Sequence, residues 1–258
     1  MGEHTDRRIL RKMKIISDQA GIMNRYMREQ ENWKPHLENT KNYITSFIEK
    51  NDYRSVSILG SGWLLDLPVE YLKEHTDEVV LYDIFHPPQI KHKLRNDRKF
   101  KLVESDITGG VIHAAYQAYR NFKARKNDFN IHTLISSGFA PVKATDCFIS
   151  LNILNQLDIL IIDFLKQNKI GSPEEYSGLR ANIQQSHIKS LPTGKSCLIT
   201  DAEELVIEKE GKIKEIKSLI YTSLTDGLNI KKWQWEFDFS GTYNVGYNTM
   251  FNVIAMEI

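Results

Sequence analysis

The sequence predicts an α/β domain with a doubly wound, mainly parallel sheet, preceded by a helical extension. From Ser55 onward, short runs rich in β-branched residues alternate with helical stretches, which is typical of βαβ units. Before that point the apolar residues recur at helical spacing instead. We therefore predict a helical extension or lid over residues 1–50 and a sheet domain over residues 51–258.

Composition and charge exclude several classes of protein. The chain has 258 residues, of which 41% are hydrophobic and 26% charged, so it can form a full-sized core. Gly and Pro together number only 21 (14 and 7), which excludes collagen-like and low-complexity chains. Lys and Arg number 34 against 33 Asp and Glu. A net charge of +1 gives no overall attraction to nucleic acid or anionic membranes.

The extension is predicted to contain two amphipathic helices. Apolar residues at helical spacing lie on each of them, and Pro35 is expected to break the chain between the two. The residues that carry the pattern are Ile16, Ala20, Met23 and Met27 in the first helix, and Leu37, Ile44, Phe47 and Ile48 in the second.

The sheet domain is predicted from five β-rich runs and the helices between them. Strands are expected near 55–60, 78–83, 99–104, 145–151 and 195–200, and helices near 63–75, 88–97, 110–126, 157–168 and 176–190. Residues 205–216 alternate around Glu210 and Gly211, which predicts a surface hairpin and leaves a charged helix as the alternative. Runs 232–239 and 248–258 predict a terminal antiparallel hairpin at the sheet edge.

The two cysteines and the apolar runs indicate a reducing, cytoplasmic setting. Cys147 and Cys197 both lie in apolar runs, where a small buried side chain is expected. The chain start has no apolar segment of the secretory type. The longest apolar stretch, Leu157 to Leu165, is interrupted by two aspartates and is too short to span a membrane. The histidines lack metal-ligand spacing, so no metal is predicted.

A glycine turn after the first strand is the most informative motif. The strand runs through Leu59 into Gly60, Ser61 and Gly62, which exposes backbone N–H groups where a ligand can approach. The second strand ends on Asp83, about twenty residues further on, where the ribose of a nucleotide-like ligand would lie.

The residues around this turn favour an adenosyl ligand without phosphates. A dinucleotide fingerprint needs a third glycine where this chain has Leu65. The third strand leads to Asp106, which could hold an adenine amino group, with Ile84 and Ile107 on either side of the ring.

With these motifs the chain resembles class I (Rossmann-like) S-adenosylmethionine-dependent methyltransferases over residues 51–258. The segments that carry the resemblance are Leu59-Gly60-Ser61-Gly62, Leu81-Tyr82-Asp83-Ile84, Ser105-Asp106-Ile107, the strand and loop 147–154, and the approach to the fifth strand over 187–201. The resemblance implies a seven-stranded sheet with an antiparallel last strand. It also implies S-adenosylmethionine as cofactor, S-adenosylhomocysteine as product, and Asn152 with the Gly60 carbonyl at the methionine end. Ile58 and Leu64 depart from the family pattern, which has an acid and a glycine there.

Residues for the methyl acceptor are harder to predict, because methyl transfer from a sulfonium needs alignment more than a particular acid or base. No catalytic residue is therefore assigned from the sequence. Asn155 and Gln156 follow the fourth strand and are candidates for substrate contact, with helix capping as the alternative. Tyr26 and Trp33 in the extension are candidates for the acceptor pocket, and packing onto the core is the alternative for Trp33.

The resulting hypothesis is methyl transfer to a small or medium-sized acceptor. One alternative is a non-catalytic adenosyl-binding or regulatory protein of the same fold, which Ile58 and Leu64 suggest. Another is a nicotinamide-dependent oxidoreductase, against which Leu65 stands. A basic stretch from Lys91 to Lys101 keeps nucleic acid open as a substrate, although a solvated helix face explains it more simply. The oligomeric state and the acceptor are not predicted.

Overall fold

We describe a computed structural model that covers residues 6–124, 131–224 and 227–258. Eight strands form one sheet in the described part of the chain. They are β1 (Ser55–Leu59), β2 (Glu78–Asp83), β3 (Phe100–Glu104), β4 (Cys147–Leu151), β5 (Ser196–Ile207), β6 (Ile213–Ser218), β7 (Leu228–Asp238) and β8 (Asn248–Glu257).

Helices cover the sheet and precede it. They are α1 (Arg7–Lys12), α2 (Ile15–Arg28), α3 (Gln30–Asn51), α4 (Val69–His75), α5 (Pro88–Leu94), α6 (Val111–Lys123), α7 (Ile159–Gln167) and α8 (Pro173–Ser190), with a 3₁₀ turn at Ile131–Thr133. The helix predicted over 110–126 extends into residues that lie outside the described ranges. No helix within the described ranges is long and apolar enough to span a bilayer.

The strand order confirms the predicted sheet. The main path runs β3-β2-β1-β4-β5-β8-β7, with the first five strands parallel and β8 antiparallel to both of its neighbours. Seven strands with an antiparallel last strand were expected, and β6 adds an eighth by pairing with β5. Of the terminal pair only β7 lies at the edge, because β8 inserts between β5 and β7. The order 3-2-1-4 places the ends of β1 and β4 side by side.

The predicted hairpin over 205–216 is confirmed, but its first strand begins much earlier. The fifth strand was expected to stop before Asp201, whereas β5 continues through Asp201 to Ile207 and pairs with both β6 and β8. Two partners supply hydrogen bonds along this stretch, so the chain stays extended. The alternative of a charged helix is wrong.

Several helix boundaries also differ from the sequence prediction. The extension has three helices and not the two predicted, because Lys14 adopts φ +64° and separates α1 from α2. Pro35 lies inside α3 and does not end it, and the break between α2 and α3 falls at Glu29. The helix predicted from residue 63 begins only at Val69, because Gly62 and Leu64 adopt positive φ and Pro68 precedes the helix. The resulting irregular segment after β1 widens the turn beside the sheet.

The core forms on both faces of the sheet, as a doubly wound fold requires. One buried cluster joins α3 and α4 to β1, β7 and β8, and a second joins α1, α6, α7 and α8 to the other face. Both cysteines are fully buried with free thiols, as predicted.

Candidate functional site

A cavity of about 420 Å³ lies where β1, β2 and β4 end, with α2 and α3 forming its cover. Most of the residues predicted from the sequence line it: Gly60, Ser61, Gly62, Asp83, Ile84, Asp106, Ile107, Asn152, Asn155, Gln156 and Trp33. Tyr26 is not among the lining residues, and its ring packs against Trp33 with centroids 5.7 Å apart.

The glycine turn is closely packed against the loop after β4. Gly60 has φ +86°, and a Cβ there would lie 2.7 Å from both the Leu151 carbonyl oxygen and the Ile153 Cβ. Gly62 has φ +45°, with no atom nearer than 4.0 Å to the position of its Cβ. Glycine is therefore required at the first position by contact as well as by conformation.

Asp83 organises the turn from the end of β2. Its Oδ2 accepts a hydrogen bond from the Gly62 N–H at 2.8 Å, and its Oδ1 accepts one from the Gln19 amide at 3.0 Å. The carboxylate is buried, and burial raises its pKa, while the nearby His86 and the Gly62 N–H act in the opposite direction. Through Gln19, helix α2 reaches the acid at which ribose binding was predicted.

Asp106 and the two isoleucines lie at the far end of the cavity. The Asp106 Oδ1 accepts hydrogen bonds from the backbone N–H and the hydroxyl of Thr108, at 2.9 and 2.5 Å. Burial raises the pKa of this carboxyl. Ile107 is buried and Ile84 half-buried, and both line the cavity.

The two departures from the family pattern are explained by packing. Ile58 is fully buried in β1, and Leu64 is buried in the same core cluster although its φ is +59°. Both side chains belong to the apolar core beneath the turn. At Ile58 an acid would lose its hydration without a partner, and at Leu64 a glycine would remove an apolar side chain from the core.

Asn152 joins the turn to the helical cover. It lies just after β4 with φ +47°, and its Nδ2 donates to Asp66 Oδ2 at 2.8 Å and lies 3.3 Å from His36 Nε2. The Trp233 indole N–H donates to His36 Nδ1 at 3.1 Å. An indole nitrogen can only donate, so this ring nitrogen of His36 acts as the acceptor.

Asn155 and Gln156 have different roles in the loop. The Gln156 amide donates to the Asn152 carbonyl at 2.7 Å, and it does not cap a helix, because α7 follows Asp158 and has no side-chain cap. The Asn155 amide instead donates to Asp201 Oδ2 at 3.4 Å, inside the cavity. Burial raises the pKa of Asp201 to about 7, and the neighbouring Asp66 adds to the rise.

Several lining residues were missed by sequence reasoning. They come from helices and strands distant in sequence: Asp18, Gln19 and Arg25 on α2, His36 on α3, Asp66 after the turn, Asp201 on β5, and Trp235, Phe237, Tyr243 and Phe251 from the terminal strands and their connection. Of these residues, Asp201 has a local signal in the sequence, because it directly follows the fifth β-rich run. Within the described ranges, no group of three or more His, Cys, Asp or Glu side chains could hold a metal ion.

We expect His36 to make the protein less stable in acid. Burial lowers its pKa to about 3, whereas an unfolded histidine titrates near 6.5. As the pH falls below 6.5, only the unfolded chain gains the proton, so the free energy of unfolding decreases by up to about 1.4 kcal/mol per pH unit. Urea unfolding of wild type and His36→Gln checks this, since other titrating groups cancel in the difference. A difference that stays constant as the pH is lowered would contradict it.

The fold and the site's position together define a class of protein. The strand order, the antiparallel β8 and a cavity beside a glycine turn at the end of β1 are the arrangement of the class I methyltransferase fold.

Comparison with solved structures gives similar proteins of low sequence identity. NodS, an N-methyltransferase from Bradyrhizobium japonicum in complex with S-adenosyl-L-homocysteine, is 9% identical over 85% of this chain and 86% of its own, with a TM-score of 0.40. The 1,6-didemethyltoxoflavin N1-methyltransferase from Burkholderia thailandensis is 10% identical over 95% of this chain and 89% of its own, with a TM-score of 0.40. No protein-family model and no curated protein matches the chain.

Proposed function

We propose that the chain transfers a methyl group from S-adenosylmethionine to a small or medium-sized acceptor. The observation that carries the proposal is the pairing of Asp83 with the Gly62 N–H beside the closely packed Gly60 turn. This pairing leaves a carboxylate facing the cavity at the end of β2, where it can accept hydrogen bonds from ribose hydroxyls. In the proposal Gly60, Ser61, Gly62, Asp83, Ile84, Asp106, Ile107 and Asn152 bind the cofactor.

Unpartnered polar atoms in the cavity support this assignment. Ser61 Oγ and Gln19 Oε1 are buried without a hydrogen-bond partner on the side of the glycine turn, and Asn152 Oδ1 is unpartnered in the loop that packs against this turn. Ribose hydroxyls and a methionine ammonium group would satisfy such atoms. S-adenosylmethionine supplies a methyl group already activated on a sulfonium.

In this proposal the protein binds and orients the cofactor and the acceptor and excludes water from the cavity. Residues 1–50 are proposed to be the cover, since α2 contacts Asp83 through Gln19, and the Trp63 indole donates to the Gln19 carbonyl at 2.7 Å. Trp33 lines the cavity from α3 and is proposed as part of the acceptor pocket. A cytoplasmic location is part of the same proposal.

Three of the six cations in the basic stretch are engaged within the protein, which favours a small molecule over nucleic acid. Lys91 pairs with Glu104, Lys101 pairs with Glu78, and Lys99 donates to backbone carbonyls. Cations that are held in this way are poor phosphate contacts.

Isothermal titration with S-adenosylhomocysteine tests the proposal. We expect heat of binding from this ligand and none from NADH, because Leu65 lies where a pyrophosphate-binding turn needs glycine. Heat from NADH alone would support the oxidoreductase alternative, and no heat from S-adenosylhomocysteine would refute the proposal.

Asp83→Ala is expected to weaken S-adenosylhomocysteine binding by about 1–3 kcal/mol, since a charged acceptor of hydrogen bonds is lost. Asp77→Ala is the matched control, because this exposed aspartate precedes the same strand at its other end and pairs only with Arg54. Titration calorimetry on both variants measures the difference. Equal affinities in the two variants would show that the ribose assignment is wrong.

A further inference from the structure

The part of the cavity formed by β5 and the loop after β4 presents buried oxygen atoms that lack hydrogen-bond donors. Asp201 Oδ1 and Asn155 Oδ1 have no partner, although their residues are only 2% and 6% exposed. Both residues line the cavity, and we call them the acceptor wall. A buried polar atom without a partner is unfavourable, so this wall fits a ligand that brings N–H groups.

Two carboxyl groups make this part of the cavity acidic. Asp66 lies beside the acceptor wall, held by the Asn152 amide, and is close enough to Asp201 to raise the pKa of that carboxyl. In the described part of the chain, no Lys or Arg forms an ion pair with Asp201 or Asp66. Burial raises the pKa of Asp66, and Lys41 is the cation that acts against this rise. Arg25 also lines the cavity; its guanidinium lies over the Phe237 ring at 4.6 Å, its Nε is buried without a hydrogen-bond partner, and its acidic neighbours are Asp18 and Asp238.

Aromatic rings line the same cavity as the acceptor wall. His36 stacks on Trp235 with centroids 4.0 Å apart and planes 8° apart, and Trp33 packs edge-on against Trp235 at 4.8 Å. Phe237 and Phe251 extend the same surface, with centroids 4.6 Å apart. Aromatic faces next to carboxylates favour a flat or apolar group that carries a positive charge or polarised N–H bonds.

A bulge in β5 gives Asp201 its place. Asp201 pairs with Val253 and Glu203 with Asn252, so Ala202 is an extra residue between them. Glu203 accepts a hydrogen bond from the Asn252 side chain at 2.7 Å and does not line the cavity, unlike Asp201. Two acids on one strand are thereby directed to different surroundings.

We propose that the methyl acceptor is an amine whose N–H groups bind Asp201 and Asn155, and that Asp201 Oδ1 takes the proton released from its nitrogen. The inference rests on the proposed methyl transfer. The N–H bond breaks and the proton goes to the carboxylate, so the nitrogen recovers its lone pair. That pair forms the bond to the methyl carbon while the carbon–sulfur bond breaks, and its electrons remain on the sulfur. Asp201 then loses the proton to water.

An amine fits this wall better than other nucleophiles. An alcohol or a thiol offers a single hydrogen, whereas an ammonium group offers three to the unpartnered oxygens. A carboxylate substrate would be repelled by Asp201 and Asp66. A base that titrates near neutral pH is also well matched to removing a proton from nitrogen.

Titration calorimetry with benzylamine and benzyl alcohol tests the inference on protein saturated with S-adenosylhomocysteine. At about pH 8 Asp201 is ionised and the amine keeps its proton. Wild type should bind benzylamine at least about tenfold more tightly than benzyl alcohol, because a hydrogen bond to a charged group is strong. Asp201→Asn should lose this preference and keep its affinity for S-adenosylhomocysteine. Glu203→Gln, which removes the same charge from the same strand, should behave as wild type.

The outcomes separate this inference from the proposed function. No preference for the amine in wild type, whether both probes bind or neither does, would overturn the inference, and so would a preference retained in Asp201→Asn. If S-adenosylhomocysteine binds while the amine preference is absent, only the inference fails. If S-adenosylhomocysteine itself does not bind, the proposed methyl transfer fails.

Discussion

Replacing Gly60 with alanine is expected to lower the free energy of unfolding by about 2–6 kcal/mol. The residue has φ +86°, a conformation that costs a residue with a Cβ about 1–3 kcal/mol. The new methyl would also lie 2.7 Å from the Leu151 carbonyl oxygen and the Ile153 Cβ. Neither is the end of a flexible side chain, so β1 or the loop after β4 must move, at a further cost of about 1–3 kcal/mol. Urea unfolding measures the change.

Gly178→Ala serves as the matched control. Gly178 lies in α8 with ordinary backbone dihedrals, and no atom lies within 4 Å of the position of a Cβ. Alanine there should raise the free energy of unfolding by about 0.5–1 kcal/mol, because helical glycine is entropically costly. If Gly60→Ala and Gly178→Ala changed the free energy of unfolding in the same direction, the close contact between the glycine turn and the loop after β4 would be contradicted.

The strands β1, β2 and β4 could be predicted from the sequence because they are short, apolar and bounded by turn residues. All five residues of β4 are buried, as expected for a central strand covered on both faces. A short apolar run of this kind is recognisable as a strand from its own residues. The position of the glycine turn followed in the same way, since Gly60 and Gly62 directly follow a strand of this kind.

Other elements depended on tertiary contacts that no local pattern contains. Helix α3 continues through Pro35 because Trp33 and His36 before and after it are both buried against β7 residues. Proline costs a helix about 3 kcal/mol, and burial of this apolar face outweighs it. Similarly, β5 passes Asp201 because β6 and β8 pair with it on both edges.

The candidate site also has a part that local sequence patterns predict and a part that depends on tertiary contacts. The half that was predicted from the sequence follows β1, β2, β3 and β4, where glycine and acid spacing is local. The other half is assembled across the chain, as when the Trp233 indole meets His36, 197 residues earlier in the sequence. Asp201 belongs to this second half, and its place depends on a bulge that only strand pairing reveals.

Trp33→Ala is expected to lower the free energy of unfolding by about 3–5 kcal/mol, the usual cost of deleting a buried tryptophan. Trp33 is 2% exposed, its indole donates to the Phe237 carbonyl at 2.8 Å, and its ring packs against Trp235 and Phe237. For a chain of this size, the melting temperature should fall by about 6–20 °C in a single transition. Thermal unfolding followed by circular dichroism measures it.

Met27→Ala is the control, since Met27 is 64% exposed on α2 and its loss should change stability by no more than about 0.5 kcal/mol. The comparison decides how the extension contributes to the fold. If α3 were a detachable lid, truncating Trp33 would release the extension and leave the main transition where it was. Because α3 and β7 share one buried aromatic cluster, we expect the whole transition to shift, and any opening of the site must then come from α2 while α3 stays in place.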